Sequence, residues 1–242
     1  MRLVFVEPTL QHLLLCLRFI NEHEVILIDS YPEVGTPSFQ VGWCSTPEVF
    51  EEYLTEQEIM FLQLSKSREG YGFRIDWLVK HLIRKCVMHG VQVFSRTTIL
   101  ESETIGPTTK LRIQSPANLP DIIDVDVVHV DSSIKRFTPG HIEHAVPNNA
   151  ITGHLQTQIV QWNGILMPTK YIDHNINGII LNRSDGCSEV WSKDSILTSA
   201  YTMEQWTLHL GEDLASSKFD AILDQSNESY ALVQDEIQRR TR

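Results

Sequence analysis

The sequence predicts an α/β fold: a parallel sheet with crossover helices and a small β-meander, plus a smaller antiparallel β lobe and C-terminal helices. Three observations predict it. Residues 2–6 (RLVFV), 10–20 (LQHLLLCLRFI) and 24–29 (EVILID) read as strand, buried helix and strand, a β–α–β unit. Residues 74–89 carry the clearest helical spacing, with Ile75, Leu78, Leu82, Ile83 and Cys86 on one face and Gly90 as a stop. Beyond Pro139 the pattern changes to short strand-like runs separated by turns with Asn, Gly and Asp, which favours antiparallel pairing.

With 242 residues, 42% of them hydrophobic and 21% charged, the chain can bury a core as one large domain or as two interleaved lobes. Its net charge of −11 argues against a nucleic-acid partner, because phosphate binding needs clustered Lys and Arg. Cys16, Cys44, Cys86 and Cys187 are far apart with no C-x-x-C pair, so all four are expected as reduced thiols. No run is long enough to span a bilayer, and Glu7 with Pro8 interrupts the only stretch resembling a signal peptide. The expected setting is the cytoplasm or a soluble assembly, without a membrane.

After the first β–α–β unit, residues 30–35 (SYPEVG) form a Pro/Gly loop and residues 36–45 read as an extended loop. Thr46, Pro47 and Glu48 have the pattern of a helix start, with helix over 46–53 and again over 55–64. The helix at 74–89 leads to strands at 91–94, 97–103 and 110–114, the last two joined by a turn at Gly106 and Pro107. A buried strand follows at 124–131 (DVDVVHVD). The second lobe has strand-like runs at 154–161, 165–170, 178–181, 189–191 and 196–206, and residues 208–242 read as one or two amphipathic helices.

The turn after the first strand lacks an expected pattern. A dinucleotide-binding unit carries G-x-G-x-x-G there, so that the backbone can approach a diphosphate at the helix N-terminus, and an acid about 20 residues on holds the ribose. Asp29 stands where that acid belongs, but Glu7, Thr9 and His12 occupy the glycine positions. Pro8 removes a donor and Glu7 brings a carboxylate to a phosphate position.

Three further stretches resemble the flavoprotein monooxygenases and, within them, the flavin-dependent tryptophan halogenases. Residues 41–54 (VGWCSTPEVFEEYL) are similar to a G-E-[AS]-T-[IV]-P loop, with Gly42, Thr46 and Pro47 in matching order. Residues 71–82 (YGFRIDWLVKHL) resemble a Y-H-F-[DN] helix entry, and residues 130–136 (VDSSIKR) resemble V-D-A-S-G-x-R. Trp43 and Ile134 depart from those patterns. The resemblance covers residues 2–137 and implies a Rossmann-like, FAD/NAD(P)-binding-like domain over 1–138. Beyond it no motif matches, and the residue pattern alone gives an interleaved antiparallel lobe over 139–207 and a helical segment over 208–242. It implies flavin contacts at Asp29, Gly42, Asp131, Ser132 and Ser133, and it makes Lys66 the counterpart of the halogenases' catalytic lysine.

Each candidate also has an ordinary structural role. Asp29 can close a surface turn, Arg74 can pair with Asp76 instead of a cofactor phosphate, and Lys66 can be a solvated lysine. His141, Glu143, His144 and His154 fall near Pro139, Gly140 and Pro147 in loop sequence, so no metal is expected. Trp162, Trp191 and Trp206 suit a core or a stack on a planar substrate. Two functions follow. The first is a degenerate halogenase-like fold that has lost flavin chemistry, binds no cofactor and serves as a structural or interaction protein, with protein partners or self-assembly. The alternative keeps FAD and acts as a halogenase or monooxygenase on a small aromatic substrate.

Overall fold

The apolar runs Arg2–Val6 and Glu24–Ile28 pair in parallel inside a five-stranded sheet, Leu3 beside Val25 and Val6 beside Ile28. The computed structural model describes residues 1–35, 40–116, 119–130, 144–152, 159–173, 176–195 and 198–241. In chain order the strands are β1 (Arg2–Val6), β2 (Glu24–Ile28), β3 (Trp43–Cys44), β4 (Ser65–Lys66), β5 (Tyr71–Gly72), β6 (Gln92–Phe94), β7 (Thr98–Ile105) and β8 (Thr108–Gln114). They continue with β9 (Ile122–Val125), β10 (Val127–Val130), β11 (Ile151–Thr152), β12 (Ile159–Pro168), β13 (Ile179–Asn182), β14 (Cys187–Ser192) and β15 (Glu204–Gly211). The helices are α1 (Leu10–Phe19), α2 (Glu56–Phe61), α3 (Ile75–Met88) and α4 (Phe219–Thr241). The result is a mixed α/β protein with parallel and antiparallel sheets.

The chain forms two compact units. One comprises Met1–Ser38, Val79–Leu155 and Leu223–Arg242, the other Phe39–Leu78 and Gln156–Ile222.

In the first unit the sheet order is β11-β10-β1-β2-β6, all parallel. Because side chains alternate along a strand, the sheet has two apolar faces. Val4, Val6, Ile26, Ile28 and Val128 pack against Ile99, Leu111, Ile113, Ile123 and Val125 of the antiparallel meander β7-β8-β9. Phe5 lies on the opposite face beside Phe19 of α1, and Phe19 stacks on Tyr230 of α4. Gln11 of α1 donates to Ser229 Oγ at 2.6 Å, and Arg18 donates to Asn227 at 2.7 Å. Each fully buried aliphatic or aromatic side chain in these layers contributes roughly 1.5–3 kcal/mol.

The continuous run 124–131 is two elements. Ile122–Val125 belongs to the meander and Val127–Val130 to the parallel sheet. Asp126 makes the transfer, its carboxylate and backbone N–H both bonding the backbone of Arg2.

In the second unit the antiparallel sheet runs β13-β14-β12-β15, and a small sheet β3-β5-β4 lies in the same unit. The runs at 154–161 and 165–170 are not separate strands, since Ile159–Pro168 is one ten-residue strand; residues 153–158 lie outside the described set. The helix expected over 46–53 is only a 3-10 turn, Pro47–Phe50, with Phe50 buried between Phe73 and Phe219. Residues 208–211 end β15 rather than starting a helix. One sheet face packs Trp162, Leu181, Trp191, Leu208 and Leu210 with Val41 and Trp43; the other carries Ile165, Met167, Ile172 and Val190. The tryptophans therefore form core. Trp191 and Trp206 flank Gly164 in register and stack at 5.8 Å, and a Cβ on Gly164 would meet the Trp191 ring at 2.6 Å.

Candidate functional site

In the first unit, strand β1 ends in a turn that keeps the backbone shape of a glycine turn with other residues in it. Glu7 adopts φ of 50°, the left-handed region that glycine enters without a Cβ penalty. Its N–H donates to Ile28 O at 2.8 Å, which fixes the turn to the end of β2. Its carboxylate accepts from Ser30 Oγ at 3.2 Å and lies 3.4 Å from His144 Nε2. His144 Nδ1 accepts from Ile99 N–H at 3.1 Å, which places the neutral ring's proton on Nε2, toward Glu7.

The start of α1 is equally occupied. Pro8 has no N–H to offer. The N–H of Thr9, the N-cap, donates to His12 Nδ1 at 3.4 Å, so His12 takes the part that Glu or Gln plays in a capping box. His12 Nε2 then meets His129 Nδ1 of β10 at 2.8 Å, and both rings are buried against Phe5. An unpaired imidazole at that depth would cost about 1–3 kcal/mol, which is why the two occur together.

Asp29 follows β2 and is fully buried. Its two oxygens accept from the N–H groups of Tyr31 and Gly35, each at 2.9 Å, so it organises the loop that leaves the sheet. A dinucleotide requires free donors at the helix start and an acid turned to the ribose. The residues present do not fit an FAD diphosphate and ribose in that arrangement, because Thr9 is bonded to His12, His12 to His129, Glu7 to Ser30 beside His144, and Asp29 to the N–H groups of Tyr31 and Gly35.

In the second unit Gly42 is buried, and its carbonyl accepts from Phe73 N–H at 2.9 Å. A Cβ at Gly42 would stand 2.1 Å from Phe73 O, so close backbone packing accounts for the glycine. Lys66 is exposed on β4, and its carbonyl accepts from Asn182 Nδ2 at 3.0 Å. Arg74 pairs with Asp76 at 3.3 Å and lies over the Trp77 ring at 4.8 Å. Asp131, Ser132, Ser133, His141, Glu143 and His154 lie outside the described residues. Among the described residues no cluster of three or more His, Cys, Asp or Glu is placed to hold a metal. The four cysteines are free thiols.

Sequence reasoning missed Glu189. On β14 it shares the buried face with Trp191, whose indole N–H donates to it at 3.0 Å; Arg183 lies 3.6 Å away and also pairs with Asp185 at 2.6 Å. Burial pushes the Glu189 carboxyl up to about 7, against the Trp191 hydrogen bond and the Arg183 charge. The group can therefore hold or release a proton near neutrality. The readable signal was a Glu two positions from a Trp, and so on the same face of a short strand run.

No protein-family model matches this chain, and no curated protein matches it in sequence. Solved structures match it in fold. The aromatic hydroxylase CabE from angucycline biosynthesis aligns with a TM-score of 0.51 at 10% identity, over 87% of this chain and 52% of its own. BexE, from studies of oxidation during BE-7585A biosynthesis, gives 0.54 at 10% identity over 86% and 52%. The p-nitrophenol 4-monooxygenase PnpA from Pseudomonas putida DLL-E4 gives 0.51 at 10% over 86% and 67%. This is a flavoprotein monooxygenase-like fold. The chain spans about half the length of CabE and BexE. No helix of the described residues is long and apolar enough to cross a membrane.

Proposed function

We propose that this flavoprotein-type chain does not use the usual dinucleotide site and serves as a structural or interaction protein in an assembly. One observation carries the reading. Glu7 holds the left-handed turn position with its carboxylate tied to Ser30 and facing His144. The capping of α1 by His12, itself joined to His129, supports it. The halogenase-like ancestry rests on the motifs at residues 41–54, 71–82 and 130–136.

The test is an equilibrium titration with FAD, read by flavin fluorescence. The parent chain is expected to give no saturable change at micromolar FAD, where a flavoenzyme would be filled. Glu7→Gly keeps the backbone shape and removes the carboxylate; binding by this variant alone would identify the carboxylate as what excludes flavin. Tight binding by the parent would overturn the proposal. It would return the alternative, a halogenase or monooxygenase acting on a small aromatic substrate, with Lys66→Ala as the next variant. The near-neutral carboxyl of Glu189 is the observation that favours that alternative.

A further inference from the structure

The antiparallel sheet of the second unit has a cavity of roughly 610 Å³ on the face opposite Glu189 and Trp191. The alternation along β14 assigns the faces: Val190 and Ser192 point one way, Glu189 and Trp191 the other. The floor is apolar, formed by Ile165 and Met167 of β12. One wall is an aromatic pair, Tyr171 and Tyr201, stacked with centroids 3.8 Å apart and planes 10° from parallel. Both rings stay well exposed, 41% and 50% respectively, although stacked rings of this size ordinarily bury their faces in a core.

The charged side chains lining the cavity are Asp173 and Asp194, and no Lys or Arg lines it among the described residues. Asp194 forms no ion pair among the described residues, and its backbone is held in place: its N–H donates to Ser192 Oγ at 3.1 Å, and Ser192 Oγ donates to Asn177 O at 2.9 Å. The tyrosine pair already attracts a cation, since Lys170 Nζ lies 4.8 Å from the Tyr171 ring centroid. Apolar floor, exposed stacked rings and two carboxylates are complementary to one ligand chemistry.

We propose that this cavity binds a small organic cation with a flat apolar body, an arylalkylamine in chemical class. The ring of the ligand lies against Tyr201 and the Ile165–Met167 floor, and its ammonium faces Asp194 and Asp173. The proposal is independent of the cofactor question, because every residue it uses belongs to the second unit.

Calorimetric titration of the full chain with three probes of one ring and different charge tests it: 1-naphthylmethylamine, 1-naphthylmethanol and 1-naphthoate. The amine is expected to bind at least about tenfold more tightly than the alcohol, and the naphthoate more weakly than either. Asp194→Asn is expected to remove most of that preference, and Tyr201→Ala to weaken all three probes together. Both positions are surface-accessible, so circular dichroism of each variant should match the parent. Equal affinity for the three probes, no heat from the amine at millimolar concentration, or an amine preference unchanged in Asp194→Asn would each overturn the proposal.

Discussion

Gly42→Ala is expected to destabilise the second unit by about 4 kcal/mol or more, at the extreme end for a single methyl group. The added Cβ would stand 2.1 Å from Phe73 O and 2.9 Å from Ile75 N, both backbone atoms that cannot turn aside as a side chain can. Relief would require the segment from β5 into α3 to move, breaking the Phe73 N–H bond to Gly42 O. Urea unfolding followed by tryptophan fluorescence reads the effect directly, because Trp43 is the adjacent residue and is buried. Gly106→Ala serves as a control: with φ of 61° and no atom within 4 Å, it should lose only about 1–2 kcal/mol of backbone strain. A Gly42→Ala variant as stable as the control would mean that this loop is not packed as described. A glycine kept for flavin access alone would tolerate the methyl group without flavin present.

The second large effect is on Glu189. Its folded-state pKa of about 7 lies above the ordinary 4.5, so between those values the folded chain holds a proton that the unfolded chain has released. The contribution of Glu189 to stability therefore falls as pH rises through that window and levels off above about 7. Glu189→Gln has no proton to lose, and its amide oxygen can still accept from Trp191. The variant is expected to match the parent at about pH 4.5 and to exceed it by up to about 3 kcal/mol at about pH 8. The loss of Arg183's 3.6 Å contact reduces that gain, although Arg183 keeps Asp185 at 2.6 Å. Thermal melts of both chains across this range settle the matter: parallel curves at every pH would show that Glu189 is not buried as a titrating carboxyl.

The parallel core was legible because each of its elements carries its own period. RLVFV and EVILI are β-branched runs buried on both faces, and Leu10–Phe19 and Ile75–Met88 repeat at helical spacing, so they were placed within a residue or two. The split at Asp126 was hidden because apolar residues continue on both sides of it with no turn residue between, Ile123 and Val125 before it and Val127 and Val128 after it. Only the partner, the backbone of Arg2, marks the residue where the chain leaves one sheet for another. Thr46 and Pro47 gave a true start signal, but burial of Phe50 between Phe73 and Phe219 ends the turn after four residues.

The candidate sites were less legible for the same reason, since they depend on contacts remote in sequence. The missing glycines were plain at Glu7, Thr9 and His12. What replaced their function was not, because His12 is explained by His129, 117 residues away, and Glu7 by Ser30 and His144. Asp29 sat where a ribose ligand belongs, yet the N–H groups two and six residues on bind both its oxygens. Asp173 and Asp194 carry no local motif at all. They matter only once the sheet brings them to one cavity with Tyr171 and Tyr201.

The place of β1 between β2 and β10 bears on how the chain is made. Its pairing with β2 is local, but the bond from Arg2 to Asp126 spans 124 residues. On a ribosome, β1 and β2 can form as a ribbon early, while the other edge of β1 has no partner until half of the chain has emerged. An apolar strand edge left open for that interval is a template for pairing with a neighbouring chain. Nascent chains crowded on one message would therefore compete with β10 for the same backbone groups until β10 is synthesised and pairs along that edge.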